Sequence, residues 1–160
     1  MSGVKGWVIA ILLLWIAGAC QQAVAYQVSI AGAVPDFPLI VVVTVGLFSS
    51  RRASATLGFL AGAIRGAVAG GHMAAYTITM TVVGFLVGWL TGLEFEGTVV
   101  VAFIVTVAAT LATQFTFLLL NPRTAILSSV LATIGSAMYN GVLAMPLYAL
   151  LKKVLDSPRR

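Results

Sequence analysis

Six long apolar runs, separated by short breaks, constrain this chain more than any other feature. They lie at residues 7–26, 35–48, 53–69, 73–89, 98–120 and 124–151. A helix needs roughly 20 apolar residues to cross a hydrocarbon core of about 30 Å. Because lipid leaves unpaired backbone groups unsatisfied, each run is expected to be a helix. The sequence therefore predicts an all-α integral membrane protein, a compact bundle of about six transmembrane helices in a single domain over residues 1–160.

The composition excludes an ordinary soluble domain. Hydrophobic residues make up 61% of the chain and charged residues only 8%, so much apolar surface must face lipid. The second run is short, and it carries Pro35 and Pro38 at its start. This run is expected to begin in the membrane interface, or to span with local thinning of the bilayer.

Basic residues at the breaks predict the orientation of the bundle. If both termini are cytoplasmic, seven basic residues lie inside, namely Lys5, Arg51, Arg52, Lys152, Lys153, Arg159 and Arg160. Only Arg123 then falls in an outer loop, which is a strong positive-inside bias. One inner loop, TGLEFEG, carries Glu94 and Glu96 and no base, but acids contribute little to the rule. The net charge of +5 thus reflects topology, and no nucleic-acid partner is expected.

The N-terminus allows one alternative. Lys5, an apolar stretch and the sequence Ala17-Gly18-Ala19-Cys20 are similar to a lipoprotein signal that ends at a lipidated cysteine. Against this, position 17 would more usually be leucine, and the apolar run continues past Cys20 to Tyr26. Removal of the segment would leave the orientation of every later span unchanged.

Residue types that carry catalysis are few. His72 is the only histidine and Cys20 the only cysteine, so no metal site with two histidine or two cysteine ligands can be built within one chain. The acids lie at or beyond the ends of the runs, so no relay of intramembrane carboxylates is expected. They are Asp36, Glu94, Glu96 and Asp156. We therefore expect no enzyme activity, no cofactor and no metal, and His72 is expected to be a solvated residue of the outer GGHM turn.

Small residues recur every four positions in two of the runs. The third run carries Ser54, Gly58, Gly62 and Gly66, with Gly70 directly after it, and the fourth carries Gly84 and Gly88, with Gly92 just beyond it. Residues four apart share a helix face, and glycine lets two helix backbones approach closely. These two glycine ladders are expected either to pack against helices of the same chain or to line a groove that binds a partner helix.

The last run contains a polar residue and a proline. Asn140 is expected either to hydrogen-bond to a neighbouring helix or to take part in binding a partner. Pro146 lacks a backbone N–H and crowds the preceding turn, which predicts a kink near residues 143–145.

Arg65 places a charge inside an otherwise apolar stretch, GFLAGAIRGAVAGG at residues 58–71. Helical angles put it close to Gly62, on the face that carries small residues. It lies about five residues, or about 7.5 Å, from the outer end of the third run, a distance that a long side chain covers by snorkelling. The alternative is an ion pair with Asp36, the nearest acid, at the outer start of the second run.

Several segments together resemble the rod shape-determining protein MreD family of bacteria. They are Pro35-Asp36 with the following LIVVVTVGLF, GFLAG at 58–62, VVGFLVG at 82–88 and NGVLAMPLYALLKKV at 140–154. The last segment is the most specific, because an Asn-Gly pair, a proline-containing apolar run and paired bases are uncommon as a set.

This resemblance implies a non-enzymatic membrane scaffold of the cell-elongation machinery, in the bacterial cytoplasmic (inner) membrane. Such proteins act with the bitopic protein MreC, alongside MreB filaments and the RodA/PBP2 peptidoglycan synthase. The residues expected to pack helices or bind the partner are Gly58, Gly62, Arg65, Gly66, Gly70, Gly84, Gly88, Asn140 and Pro146.

The family's fold is also similar to the substrate-binding subunits of energy-coupling-factor transporters. The resemblance thus implies an alternative function, a vitamin-binding membrane subunit with a cavity at the outer side.

One position departs from the family pattern. MreD proteins commonly carry an aspartate in the third span after the glycine pair, where this chain has Gly66 with Arg65 directly before it.

Overall fold

The structure is a computed structural model that describes residues 4–93, 97–120 and 126–155. Within these residues the chain folds into six α-helices. They are α1 (Val4–Ala23), α2 (Phe37–Gly46), α3 (Arg51–Ala69), α4 (Met73–Leu90), α5 (Val99–Leu120) and α6 (Ile126–Leu155). A 3₁₀ turn at Thr91–Leu93 follows α4. The predicted all-α architecture is thus confirmed for the part of the chain that the structure describes.

Four of the helices, α1, α4, α5 and α6, are long and apolar enough to cross a membrane. By contrast α2 has ten residues, about 15 Å, which is half of a hydrocarbon core. Helix α3 has 19 residues, but its three arginines and its small residues lower its hydropathy. The count of six spans therefore stays a prediction. Part of the topology prediction falls outside the described residues, on Glu94, Glu96, Arg123, Asp156, Arg159 and Arg160.

The short helix α2 lies at the centre of the bundle. Its residues from Pro38 to Gly46 are all buried, and it contacts each of the other five helices. With Leu14 of α1 and Leu57 of α3 it forms the apolar core. Asp36 before α2 and Ser49 after it are buried as well. Because both ends of α2 lie inside the bundle, their backbone groups must find partners there.

Hydroxyl groups satisfy the backbone carbonyls at the C-terminal end of α2. Ser49 Oγ donates to the Val45 carbonyl (2.8 Å), and Ser54 Oγ of α3 donates to the Gly46 carbonyl (3.3 Å). Thr91 Oγ1, just beyond α4, donates to the Ser49 carbonyl (3.2 Å). The end of α2 is therefore tied to both helices of the following hairpin.

Helices α3 and α4 form that hairpin, and their glycine ladders face each other. A Cβ added at Gly58 would strike the backbone carbonyl of Met80, and one added at Gly84 would strike the backbone carbonyl of Ser54. Each helix thus presents glycine to the main chain of the other. The two backbones are in direct contact, as small residues permit in membrane helices.

The same close approach continues along the hairpin. A Cβ at Gly62 would lie 2.5 Å from Thr77 Cα, and one at Gly66 would lie 2.6 Å from Met73 Cα. The hairpin then turns through Gly70, whose left-handed backbone (φ 68°) ends α3. Side chains have no room along this contact. The chain's own helices therefore cover the ladder glycines within the helices, which are Gly58, Gly62, Gly66, Gly84 and Gly88, whereas Gly70 and Gly92 at the ladder ends are exposed.

Basic residues other than Arg65 lie at one end of the bundle, within the part of the chain that the structure describes. Arg51 begins α3 beside Gly92, and Lys152 Nζ donates to the carbonyl of the nearby Gly97 (3.2 Å). Lys5 lies in the first turn of α1, and Gln21 near the other end of α1 lies at the opposite side of the bundle. This is the end predicted to be cytoplasmic.

The substitutions Gly58→Ala and Gly84→Ala are expected to lower the free energy of unfolding by about 1–3 kcal/mol, the usual cost of overpacking. On an open helix face the same change would stabilise by about 1 kcal/mol, because alanine has the higher helix propensity. The sign of the effect therefore distinguishes close packing from propensity. The measurement is thermal unfolding in detergent.

Gly71→Ala is the matched control, since nothing lies within 4 Å of a Cβ at that position. If the two ladder variants unfold no earlier than this control, the close contact between α3 and α4 is contradicted.

Candidate functional site

Side chains of two other helices satisfy the backbone N–H groups of residues 34–37, which we call the Asp36 turn. The pairs are Val34 N–H with Ser136 Oγ (3.0 Å), Asp36 N–H with Asn140 Oδ1 (2.9 Å) and Phe37 N–H with Gln21 Oε1 (2.9 Å). Gln21 also donates through Nε2 to the Pro35 carbonyl (3.2 Å). Since Gln21 belongs to α1, and Ser136 and Asn140 to α6, the turn joins both helices to α2.

The Asp36 turn also uses its own residues to begin α2. Asp36 Oδ1 accepts from the Leu39 N–H (3.1 Å), which makes it the N-cap of the helix. The Asp36 carbonyl accepts from the Ile40 N–H (3.1 Å). Pro35 and Pro38 have no N–H to satisfy. Every backbone N–H group from residue 34 to residue 40 therefore has a hydrogen-bond partner.

Asn140 extends this network to a third helix. Its side chain is fully buried, and Nδ2 donates to Thr110 Oγ1 of α5 (3.2 Å). Thr110 Oγ1 donates in turn to the Thr106 carbonyl (2.8 Å). One amide thus links α2, α5 and α6, and within the described residues no buried side-chain nitrogen or oxygen lacks a hydrogen-bond partner.

Arg65 and Asp36 form an ion pair between α3 and the start of α2. Arg65 Nε donates to Asp36 Oδ2 at 3.2 Å, and the side chains are only 14% and 10% exposed. The guanidinium carbon lies 5.0 Å from the centre of the Tyr76 ring, a cation–π contact. Tyr76 packs in turn against Phe117 of α5, with ring centres 4.2 Å apart and the rings tilted by 35°. The charge of Arg65 is therefore held inside the protein, opposite a carboxylate, instead of pointing to the headgroups.

The ion pair lines a polar cavity of about 470 Å³ at the end of the bundle opposite the basic residues. Its rim carries the exposed residues Tyr26, Gly32 and His72, and its floor carries the buried residues Asp36, Thr113 and Ser136. Gln114 of α5 and Thr133 of α6 are also among its walls. We call this space the polar cavity. Its volume lies within the range of small-molecule sites, about 300–1,000 Å³.

A second space, of about 530 Å³, is almost entirely apolar and lies between α4 and α5. We call it the apolar groove. Leu86 and Val87 of α4 line one side, and Ile104, Ala108 and Ala112 of α5 line the other. Leu86, Ile104, Ala108 and Ala112 are exposed. A transmembrane helix with such a surface presents small and branched side chains to lipid or to another helix.

The sequence-predicted residues fall into separate groups. Most of the glycines lie in the contact of α3 with α4, namely Gly58, Gly62, Gly66, Gly84 and Gly88. Gly70 is a helix cap with nothing within 4 Å of its Cβ position. Pro146 is exposed within α6, which is helical on both sides of it, and the predicted kink stays a prediction. Only Asp36, Arg65 and Asn140 meet at the Asp36 turn.

His72 is exposed, as predicted, at the turn between α3 and α4. Cys20 lies inside α1 and is partly buried. Among the described residues, no three His, Cys, Asp or Glu side chains lie close enough together to hold a metal ion.

Sequence reasoning missed Gln21 and Tyr76. Gln21 is 1% exposed and makes two of the hydrogen bonds to the Asp36 turn. The sequence did indicate a polar contact for Gln21, because a glutamine inside an apolar run needs a polar partner. Tyr76 gave no comparable signal, since a tyrosine near the end of a membrane helix is common at the interface.

The ion pair is expected to couple α2 to α3 energetically. In a double-mutant cycle with Asp36→Asn and Arg65→Gln, we expect a coupling energy of about 1–2 kcal/mol, because the pair is charged and mostly buried. Asparagine keeps an oxygen that can cap α2, so the cycle isolates the charge. The charge swap of both residues is expected not to restore stability, since arginine at position 36 cannot accept from the Leu39 N–H.

Thermal unfolding of the four proteins in detergent measures this coupling. Purely additive effects of the two single substitutions would show that the pair makes no net contribution.

The family described as rod shape-determining protein MreD matches residues 1–157, nearly the whole chain. No curated protein and no solved structure matches. The likeness of the fold to energy-coupling-factor subunits therefore stays a prediction. The family match covers far more than half of the chain, and this protein accordingly belongs to the rod shape-determining protein MreD family.

Proposed function

We propose that this protein is a membrane scaffold of the rod-shape machinery and that it binds the transmembrane helix of an MreC-like partner. Membership of the MreD family supports a role in cell-shape determination. The partner, and a connection to MreB and to the RodA/PBP2 synthase, follow from what the family resemblance implies. The observation that carries the proposal is the apolar groove, an open surface lined by α4 and α5, which are both long and apolar enough to cross a membrane.

The glycine ladders are a poor choice for the partner site. Gly62 and Gly66 face the backbone of α4, so a partner helix could reach them only if α3 and α4 separated. The apolar groove needs no such rearrangement. Ala108 and Ala112 lie one helical turn apart on α5 and form a small-residue strip that a helix can approach closely.

Several features make the groove suitable for a helix. It is lined by side chains of α4 and α5, and Leu47, directly after α2, forms part of its floor. Thr91 and Gly97 line one end of the groove. Gly97 is in contact with the buried Tyr148 of α6, so α6 supports this end of the groove. In a membrane an apolar helix gains from such a surface through close packing, because burial from lipid gives no hydrophobic gain.

The family match favours this role over the alternative of a vitamin-binding transporter subunit. We further propose six membrane segments with both termini in the cytoplasm, α2 being a short segment inside the bundle. The grouping of Arg51 and Lys152 at one end of the bundle supports this orientation.

Filling the groove is expected to block the partner. Ala108→Leu and Ala112→Leu add bulk to exposed positions, so they should leave the fold intact and reduce recovery of the MreC-like protein by tenfold or more, a change of about 1.4 kcal/mol or greater in binding. The measurement is co-purification in mild detergent with a tagged partner.

Ala149→Leu is the matched control, because Ala149 is exposed on α6 outside the groove. The thermal unfolding midpoint of each variant shows that it is folded. Unchanged recovery of the partner with both groove variants would refute this binding site.

Single cysteines test the orientation. In a Cys20→Ser background, Gly71→Cys lies in the turn between α3 and α4, and Ser50→Cys is exposed just before α3. A membrane-impermeant maleimide should label position 71 in intact spheroplasts and position 50 only after permeabilisation. The reverse pattern would invert the proposed topology.

A further inference from the structure

We propose that the polar cavity binds a small zwitterionic group, with an anionic carboxylate or phosphate against Arg65 and an ammonium against Asp36. The proposal concerns a different surface from the apolar groove and does not depend on the partner-binding role. It rests on the shape of the cavity, on its charges and on the hydrogen-bonding groups of its walls.

The cavity has a built floor and an open rim. Its floor includes the Asp36 turn, which is held by Gln21, Ser136 and Asn140 through the hydrogen bonds described above. Its rim is formed by exposed residues, among them Tyr26 and His72. The floor is therefore rigid before any ligand arrives, and little entropy is lost in ordering the site.

Arg65 has donors to spare at this floor. Guanidinium groups carry five N–H donors, and in this structure one of them, on Nε, is used by Asp36. No described residue accepts a hydrogen bond from the two terminal nitrogens of Arg65. These nitrogens present the fork that matches the oxygens of a carboxylate or phosphate.

Asp36 has acceptor capacity to spare. Oδ1 accepts one hydrogen bond from the Leu39 N–H and Oδ2 accepts one from Arg65 Nε. An ionised carboxylate offers about four lone-pair sites, so each oxygen can accept one more donor. An ammonium is a suitable donor because it is charged and compact.

The balance of charge selects the class of ligand. Asp36 and Arg65 contribute one charge of each sign, and both side chains are mostly buried. A simple anion or cation would leave an uncompensated charge in this buried space, which is costly. A ligand with one charge of each sign keeps the cavity neutral while it pairs with both side chains.

The opposite wall supplies neutral polar groups. Gln114 and Thr133 line the cavity, and no described residue pairs with the side-chain amide of Gln114 or the hydroxyl of Thr133. Both can hydrogen-bond to the ligand's anionic oxygens. Two sources carry this chemistry, a zwitterionic lipid headgroup from the outer leaflet or a free amino-acid-like molecule.

The experiment follows the thermal unfolding midpoint of the full chain in detergent. Added glycerophosphoethanolamine or alanine should raise the midpoint in a concentration-dependent manner, because a ligand that binds the folded state stabilises it. Dimethyl phosphate and ethanolamine, which carry one charge each, should give no comparable shift. An equal shift with either single-charge probe would overturn the proposal.

Two variants locate the site. Gln114→Ala should raise the concentration needed for half of the shift about fivefold, through the loss of one hydrogen bond to a charged group. Arg65→Lys keeps the charge but removes the fork, so it should abolish the shift. Gln22→Ala is the matched control, since Gln22 is exposed on α1 and outside the cavity. If Gln114→Ala and Arg65→Lys both retain the full shift, the zwitterion binds elsewhere and the proposal fails.

Nanodiscs distinguish the two sources. If the ligand is a lipid headgroup, phosphatidylethanolamine discs should give a higher midpoint than phosphatidylglycerol discs, and Arg65→Lys should remove the difference. If the source is a free molecule, the discs give equal midpoints and the dissolved zwitterions still act. Absence of a shift in both arms would refute zwitterion binding altogether.

Discussion

A helix that begins inside a membrane bundle must find partners for its backbone N–H groups without help from water. Here α2 is that helix, and residues 34–40 meet the requirement completely. Gln21, Ser136 and Asn140 accept from the turn, and Asp36 caps the helix. Prolines at positions 35 and 38 remove two donors that would otherwise be unpaired. The polar residues of α1 and α6 are therefore explained first by the need to start α2, and the polar cavity is a result of gathering them at one level of the bundle.

The α3–α4 hairpin is held together by close packing of two helix backbones. Its glycines bring the two backbones into direct contact. This contact buries the glycine faces of α3 and α4, on which the sequence suggested that a partner helix would bind. What remains open is the side of α4 that carries Leu86, together with the alanine strip of α5. The chain thus separates two kinds of surface. One is an apolar groove between α4 and α5, two helices that are long and apolar enough to cross a membrane, and the other is a polar cavity beside the only described acid in the bundle, Asp36.

The sequence predicted much of this fold but less of its sites. The six apolar runs correctly predicted the six helices of the described residues, because lipid allows few alternatives to a helix. Spacing by four placed the glycines on common faces, and it also brought Arg65 towards the small-residue face. Periodicity says which residues share a face, but not which helix covers that face. The contact of Gly58 with Met80, the role of Gln21 and the cavity itself all depend on how the helices meet. The length of α2 was hard to predict because apolar residues run past its end to Phe48.

The packing around Gly66 and Arg65 limits which residues fit at this level of the third span. The family resemblance implies that an aspartate is common where this chain has Gly66. In this structure a Cβ at Gly66 would lie 2.6 Å from Met73 Cα, so no carboxylate fits there unless the hairpin opens. The neighbouring residue instead faces α2, and it carries the opposite charge. Arg65 reaches Asp36, which the capping of α2 already fixes in place. An acid is thus present at this level of the bundle, at the start of α2, and it is buried as an ion pair with Arg65.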